Sequence, residues 1–421
     1  MTTQQKNYAL PIAMMFALFF MIAFVTGLQN PMGVIVKNQF QASNLLSQLG
    51  NFANFIAYAF MGIPAGMMLQ KIGYKKTALT AIVVGIVGVG ITFLSGQIGS
   101  FPVYLIGAFI AGFSMCMLNT VVNPMLNTLG GEGKKGNQLL QFGGALNSMG
   151  ATIVPVLVGF LMGDVAKATI SDANPALFLA MGIFALAFLV LYFMNIPEPH
   201  IITEKATVKD THSPLSFTHF LLGALAIFVY VGTEVGIPNI ANLYMTGALE
   251  INATTAGTVV GTYWFLMLIG RLVGGVIGAK VSSKAMLVFA ATLGLVFVVS
   301  AILLPKDQMV SMPVFQSDIS FGLAKVPTSI MLLVLCGLCT SVMWGGIFNL
   351  ATAGLGKYTA AASGIFMVMV CGGGIIPAVQ GWAADLFGYV ESYWVIVICL
   401  LYMVFYALVG SKNVNTDIKV D

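Results

Sequence analysis

Gly62-Ile-Pro-Ala-Gly66, followed after nine residues by Lys76, and Gly270-Arg-Leu-Val-Gly274, followed after nine by Lys284, are one pattern written twice in this chain. Each copy runs off an apolar stretch into a short basic loop, and the copies lie 208 positions apart. A second echo sets Gly150-x4-Pro155-x3-Gly159 against Gly372-x4-Pro377-x3-Gly381, at an offset of 222. Small residues spaced in this way let helices approach closely inside a bilayer. Two similar halves of this kind point to a membrane transporter with its site between them.

Composition sets the class. Hydrophobic residues make up 58% of the 421, charged residues only 8%, and the mean hydropathy is +0.95. So few charges cannot cover the surface of a water-soluble chain of this length. The apolar runs are long and unbroken, which selects helices over barrel strands. Twelve spans are predicted, at about 9–36, 45–70, 77–96, 101–128, 137–163 and 175–194, then about 216–246, 254–279, 284–304, 327–353, 360–385 and 390–410. The polar stretch between the sixth and seventh has no apolar period. It divides the chain into residues 1–195, a linker 196–215, and residues 216–421. The expected fold is all-α, with twelve transmembrane helices in two pseudo-symmetric six-helix bundles.

Basic residues give the orientation. With the N-terminus inside, thirteen lysines fall on the inner side and four (Lys37, Lys167, Lys306 and Lys325) on the outer, so both termini are expected in the cytoplasm. The net charge of +4 then reports topology rather than nucleic-acid binding. The first span is too long for a removed signal peptide and lacks its cleavage site. The five cysteines all lie in apolar spans and give no disulfide framework; the Cys336-x-x-Cys339 pair has neither a second pair nor a His partner, so no metal is expected. No Walker loop and no nucleophile–base pair occurs, which leaves an enzyme without a supporting residue.

Polar residues inside the spans carry the functional reading. Of fourteen acidic residues, only Glu234 falls near the middle of a span, in Tyr230-Val-Gly-Thr-Glu234-Val-Gly-Ile-Pro238-Asn239. Placing a charge there costs about 2.5–3.5 kcal/mol on insertion scales. The functional reading is substrate or cation handling; the structural one is an acid paired with Arg271, the sole arginine, or with a tyrosine hydroxyl. Amides form a second set: Asn30, Asn119, Asn123, Gln141, Asn147, Asn239, Asn242 and Asn349. Asn119 and Asn123 are four apart and share a helix face. An amide both donates and accepts, as a sugar hydroxyl requires, although amides also bond helices to one another. Trp344, beside Gly345-Gly346, is the best-placed aromatic for the apolar face of a sugar ring.

These residues resemble the major facilitator superfamily. The duplicated Gly-x3-Gly…Lys loop is similar to its loop 2–3 signature. Pro64-Ala-Gly66 leading to Gly73-Tyr-Lys75, Asn119-Thr-Val-Val-Asn123-Pro124 with Leu129-Gly130, Asn147-Ser148-Met-Gly150, Tyr230-Val-Gly-Thr-Glu234 and Gly372-Gly-Gly-Ile-Ile-Pro377 resemble its fucose–galactose–glucose:cation symporter branch. Fucose-type members carry acids where this chain has Asn30 and Asn119, and a glutamine where it has Gly144. Hexose-type members keep the span-7 acid, here Glu234. The room at Gly144 and Gly27 would admit something larger than a monosaccharide.

The reading is a monomeric inner-membrane importer of a hexose-class sugar, a symporter working by alternating access. Asn30, Asn119, Asn123, Asn147, Glu234, Asn239, Trp344 and Asn349 are expected around the sugar, and Glu234 at the coupling ion. Gly62, Gly66, Gly73, Lys75, Lys76 and Arg271 are expected to gate. Its partners are the sugar and the lipid bilayer, with no nucleic acid. No cofactor is expected beyond the coupling ion, H+ or Na+. Sodium coupling, a larger glycoside, a drug/proton antiporter and a non-transporting sensor are the alternatives.

Overall fold

The long apolar stretches of the sequence do fold as helices in the computed structural model, which describes residues 8–41, 49–131, 133–162, 168–198, 212–305, 307–316, 318, 320–418 and 420. Helix α1 spans Ala9–Gln39, and α2 is a 50-residue run, Leu49–Ile98, broken at Gly73. There follow α3 (Phe101–Leu129), α4 (Gly133–Met162) and, after a 3-10 turn, α5 (Asn174–Phe193). Helix α6 (Thr218–Leu243) runs on into a π-helical turn, Tyr244–Ala248. Next come α7 (Ala253–Gly278), α8 (Ser283–Leu303) and the antiparallel strands β1 (Met309–Phe315) and β2 (Phe321–Pro327). The chain closes with α9 (Thr328–Thr340), α10 (Met343–Thr352), α11 (Thr359–Met369), α12 (Gly372–Phe387) and α13 (Trp394–Phe405).

Ten helical runs among the described residues are long and apolar enough to cross a membrane. One of them, α2, supplies two crossings, and α4 adds a 30-residue helix, which is consistent with twelve. Large apolar side chains on the outer faces are bare: Phe193 is 80% exposed, Phe289 70% and Ile398 68%. A surface of this kind is at rest only against lipid. This is a multi-pass membrane protein.

Sequence detail explains the joints. Spans two and three, expected to be linked by a basic loop, are instead hinged on Gly73 alone, whose φ of 83° a side chain would resist. The new helix start is capped by the Glu198 carboxylate, which accepts from the Tyr74 and Lys75 N–H groups. Lys75 Nζ donates to the carbonyl of Tyr192 at the end of α5 (2.8 Å), and in the second half Lys284 Nζ donates to the carbonyl of Leu408 (2.8 Å). The repeated basic residue is thus a tether between the third and sixth spans of each half. In the first half Lys75 serves rather than Lys76, which is exposed.

The second echo also has a steric cause. A Cβ on Gly150 would strike Ala23 of α1, and one on Gly372 would strike the Phe228 backbone of α6. Both glycines let the fifth and eleventh spans press on the first helix of their half. Spans ten and eleven are each two helices. The first breaks at Ser341–Val342 and the second at Val370–Cys371, ahead of Gly372-Gly373-Gly374.

Where a plain loop was expected between spans nine and ten, the chain forms the β1–β2 hairpin. Met312 and Val314 on one strand and Ala324 and Val326 on the other are buried in alternation, as a half-covered strand requires. The Phe315 N–H donates to Thr262 Oγ1 of α7 (2.9 Å), and its ring stacks on Phe265 at 4.4 Å.

Candidate functional site

Pro238 decides the local geometry around Glu234. A proline has no N–H to give the carbonyl four residues back, which here belongs to Glu234. The Tyr263 hydroxyl of α7 donates to that carbonyl instead (3.1 Å) and also pairs with Thr340 Oγ1 of α9 (3.0 Å). The Glu234 side chain faces Arg271 of α7, with Nη2 3.2 Å from Oε1 and the two side chains 9% and 15% exposed for Arg271 and Glu234. A buried guanidinium keeps its charge, so the pair satisfies both groups where neither could stand alone.

Arg271 also reaches across to the other half. Its Nη1 donates to the Gly144 carbonyl (2.9 Å) and to Ser148 Oγ (2.6 Å), both on α4, and its Nε to the Ser341 carbonyl at the break between α9 and α10 (3.4 Å). Tyr230, one turn before Glu234, is fully buried; its hydroxyl lies close to Glu234 and Arg271 but meets no partner in hydrogen-bonding geometry. The Tyr230 ring sits 6.2 Å from that of Trp344. Trp344 Nε1 donates to Asn123 Oδ1 on α3 (2.9 Å), Asn123 Nδ2 to the Asn119 carbonyl (2.8 Å), and Asn119 Nδ2 to the Tyr58 hydroxyl (3.1 Å). Two polar strings therefore cross between the halves, one from Tyr58 to Trp344 and one from Glu234 through Arg271 to Ser148, with the Tyr230 ring between them.

Among the described residues, the hydrogen bonds between the two halves gather at one end and at the middle. Asn349 Nδ2 donates to Asn127 Oδ1 (2.8 Å), Asn127 Nδ2 to Thr352 Oγ1 (3.3 Å), and Ser283 Oγ to Asn349 Oδ1 (2.9 Å). Gln141 Nε2 donates to the Val342 carbonyl, Ser363 Oγ to the Thr120 carbonyl, and Lys134 Nζ to the Lys280 carbonyl. With the Trp344 and Arg271 contacts, these bonds lie on the side of the molecule that holds Lys134 and Lys280, or at its middle. A glycine seam joins it: a Cβ on Gly62 would meet the Gly364 carbonyl at 2.6 Å, and one on Gly66 the Gly364 Cα at 3.0 Å.

Against the expectations, Asn119, Glu234 and Trp344 lie near the seam and are each half-buried, Asn147 is half-buried on α4, and Asn239 is exposed. Asn123 and Asn349 are buried and already bonded to the opposite half, so their amides hold the seam rather than an open surface. Asn30 lies on α1, but its side chain is outside the described residues. Gly62, Gly66 and Arg271 do sit on the seam; Gly73 and Lys75 lie at the hinge between spans two and three, with Lys76 exposed beside them. The extra room expected at Gly144 and Gly27 is absent. A Cβ there would meet Arg271 Cδ at 3.2 Å and Val154 Cβ at 2.9 Å respectively.

Two participants were given no role from the sequence. Asn127 continues the Asn119–Asn123 ladder at the same spacing of four, a signal that was present. Ser148 stands in the Asn147-Ser148-Met-Gly150 stretch, but serine is a common membrane-helix residue type and its contact with Arg271 has no sequence signal.

The sequence pattern of the Major Facilitator Superfamily matches residues 15–376. The chain belongs to the major facilitator superfamily. This is a superfamily of transporters, not enzymes. A glucose/galactose transporter of Brucella abortus is 28% identical over 419 residues, covering 98% of this chain and 97% of that protein. The L-fucose-proton symporter of Escherichia coli is 23% identical over 418 residues, covering 92% and 90%. These relatives set this major facilitator in the fucose–galactose–glucose branch. Among solved structures, the transporter FucP in its outward conformation superposes with a TM-score of 0.81 at 21% identity, over 96% of this chain and all of the other. The twelve-helix fold read from the sequence is the fold of this superfamily.

Proposed function

We propose that this major facilitator imports a hexose across a bacterial inner membrane by alternating access, driven by protons. The relatives named as glucose/galactose transporter and L-fucose-proton symporter support the substrate class and the ion. The observation that carries the reading is Glu234, paired with Arg271 at the contact between the halves beside Tyr230 and Trp344. A carboxylate at that place can exchange a proton with a path that opens to one side at a time. The half-buried amides Asn119 and Asn147 and the unpartnered Tyr230 hydroxyl offer donors and acceptors to sugar hydroxyls, with Trp344 as the apolar platform. Asn123 and Asn349 act in closure.

Residues 1–195 and 216–421 form the two moving halves, joined by the linker 196–215. The excess of lysines assigns the sealed end to the cytoplasm and both termini with it. The conformation is then the outward-facing one, and a single chain suffices for the cycle.

Uptake of radiolabelled glucose and galactose into proteoliposomes, under an imposed proton or an imposed sodium gradient, tests this. The expected result is accumulation under the proton gradient, with Glu234→Gln losing accumulation while retaining exchange. Accumulation by the mutant equal to wild type would remove Glu234 from coupling. Accumulation under sodium alone would replace the ion. No hexose movement under either gradient would end the hexose reading.

A further inference from the structure

The β1–β2 hairpin has a bare apolar face, and that face continues the lipid-facing stripe of α7. On α7, Thr262, Phe265, Ile269, Leu272 and Val276 follow one another at steps of three and four, so they share one side of the helix. Ile269, Leu272 and Val276 are exposed, which marks that side as the one turned to lipid. The hairpin is fastened to the beginning of the same stripe. The Phe315 N–H donates to Thr262 Oγ1, and the Phe315 and Phe321 rings meet Phe265 at 4.4 and 5.7 Å. Strand pairing sets Phe315 opposite Phe321, Pro313 opposite Leu323 and Ser311 opposite Lys325. All six lie on the face turned away from the buried Met312, Val314, Ala324 and Val326. On that face Phe321 is 66% exposed and Leu323 75%. An apolar face continuous with the lipid belt is costly to keep in water. The tip sets the opposite limit: Asp318 is exposed there and accepts from Ser320, and a charged turn does not enter hydrocarbon cheaply. The depth that suits both is the headgroup boundary.

We propose that the hairpin is a lipid-binding element. Its outer face rests in the headgroup–acyl boundary, with Phe321 and Leu323 among the acyl chains and the Lys325 ammonium at a phospholipid phosphate. Lys325 stands two residues from Leu323 on the same face, and a lysine stem lies along apolar surface while its ammonium reaches the polar zone. The hairpin follows α8, which starts at Ser283 beside Lys280, so it lies at the end of the molecule away from Lys280. On the orientation proposed above this is the outer leaflet; the lipid contact itself rests on neither the hexose nor the proton. Because β2 runs directly into α9 and β1 is bonded to α7, the hairpin holds both helices to the lipid surface.

The test introduces a reporter at the exposed ring, Phe321→Trp, in the full-length chain. The protein is reconstituted in vesicles of phosphatidylcholine alone or mixed with phosphatidylglycerol. Emission is read against wild type in the same vesicles, so that the four native tryptophans subtract out. Phospholipids brominated on the acyl carbons nearest the headgroup are expected to quench the added emission roughly twofold, and aqueous iodide to leave it nearly unchanged, as for a ring buried at the boundary. Lys325→Glu in the same chain should remove about half of the bromine quenching in the anionic mixture, with a smaller change in phosphatidylcholine alone. Quenching by iodide instead of bromine would put the face in water and overturn the proposal. Protection from both quenchers would mean that a second copy of the chain covers the face, and would overturn it equally. Bromine quenching in the anionic mixture that ignores Lys325→Glu would overturn the phosphate contact.

Discussion

Replacing Asn349 with alanine should loosen the sealed end by an amount that the structure bounds. The side chain is 6% exposed and makes two side-chain bonds, to Asn127 Oδ1 at 2.8 Å and from Ser283 Oγ at 2.9 Å. Truncation strands both partners, themselves only 3% and 5% exposed, so water does not replace the lost bonds while the end stays shut. Leaving such groups unpaired costs about 1–3 kcal/mol. The open form, in which water reaches all three residues, is spared that cost. The closed-to-open ratio should therefore fall roughly 5- to 150-fold. Hydrogen exchange followed by mass spectrometry measures it, because protection in a rapidly reclosing segment reports the open population. Faster exchange is expected in Met343–Thr352 and in the first turns of α4, with the β1–β2 hairpin unchanged. Exchange at wild-type rates in both helical segments would refute the idea that these amides hold the end closed. So would uniform acceleration across the whole chain, which would mean global unfolding.

Other outcomes follow from single contacts. Gly66→Val places branched carbon where even a Cβ would lie 3.0 Å from the Gly364 Cα, so α2 and α11 must part; disulfide formation between cysteines at 134 and 280 should drop, at an overpacking cost of about 1–3 kcal/mol to the closed form. Tyr263→Phe keeps the ring but strands the Glu234 carbonyl that Pro238 leaves free, and should destabilise the fold by about 1–2 kcal/mol, read as a lowered melting temperature; an unchanged value would show that the carbonyl finds another partner. In the hairpin turn, Ser320 donates both its N–H and its hydroxyl to Asp318 Oδ1, and these bonds hold the carboxyl below its usual range. A group so depressed stabilises the turn above the ordinary value of about 3.9 and loses that contribution as pH falls through the lowered one. Amide exchange at Phe315 and Phe321 should therefore rise in acid, and Asp318→Asn should abolish that dependence.

Much of the fold could be read from hydrophobicity and repetition, because a bilayer leaves helices few alternatives. The glycines at 62, 66, 150, 270, 274 and 372 marked places where a neighbouring helix leaves no room for a side chain, and a steric demand of that kind is visible in one residue type. Glu234 was equally visible, as an acid where none should be. The hairpin was not, since Pro313 and Gly322 interrupt strands too short to stand out between two spans. The roles of Asn123 and Asn349 were also out of reach. An amide facing a substrate and an amide facing another helix have the same sequence signature, and only the partner across the contact separates them. The same holds for Gly144, where a missing side chain suggested space and the Arg271 side chain from the other half fills it.

The paired lysine tethers carry a mechanical consequence. Lys75 fastens the start of the third span to the end of the sixth, and Lys284 does the same in the second half. Each bundle is thereby hooped at one rim by a charge held at the carbonyl end of a helix, a favourable place for a cation. Stress applied at the seam cannot easily be relieved by splaying a bundle, so it is transmitted to the contact between them. What gives way first is then a short stretch of amides, glycines and one guanidinium, and the barrier to reorientation is set there rather than spread through the helices.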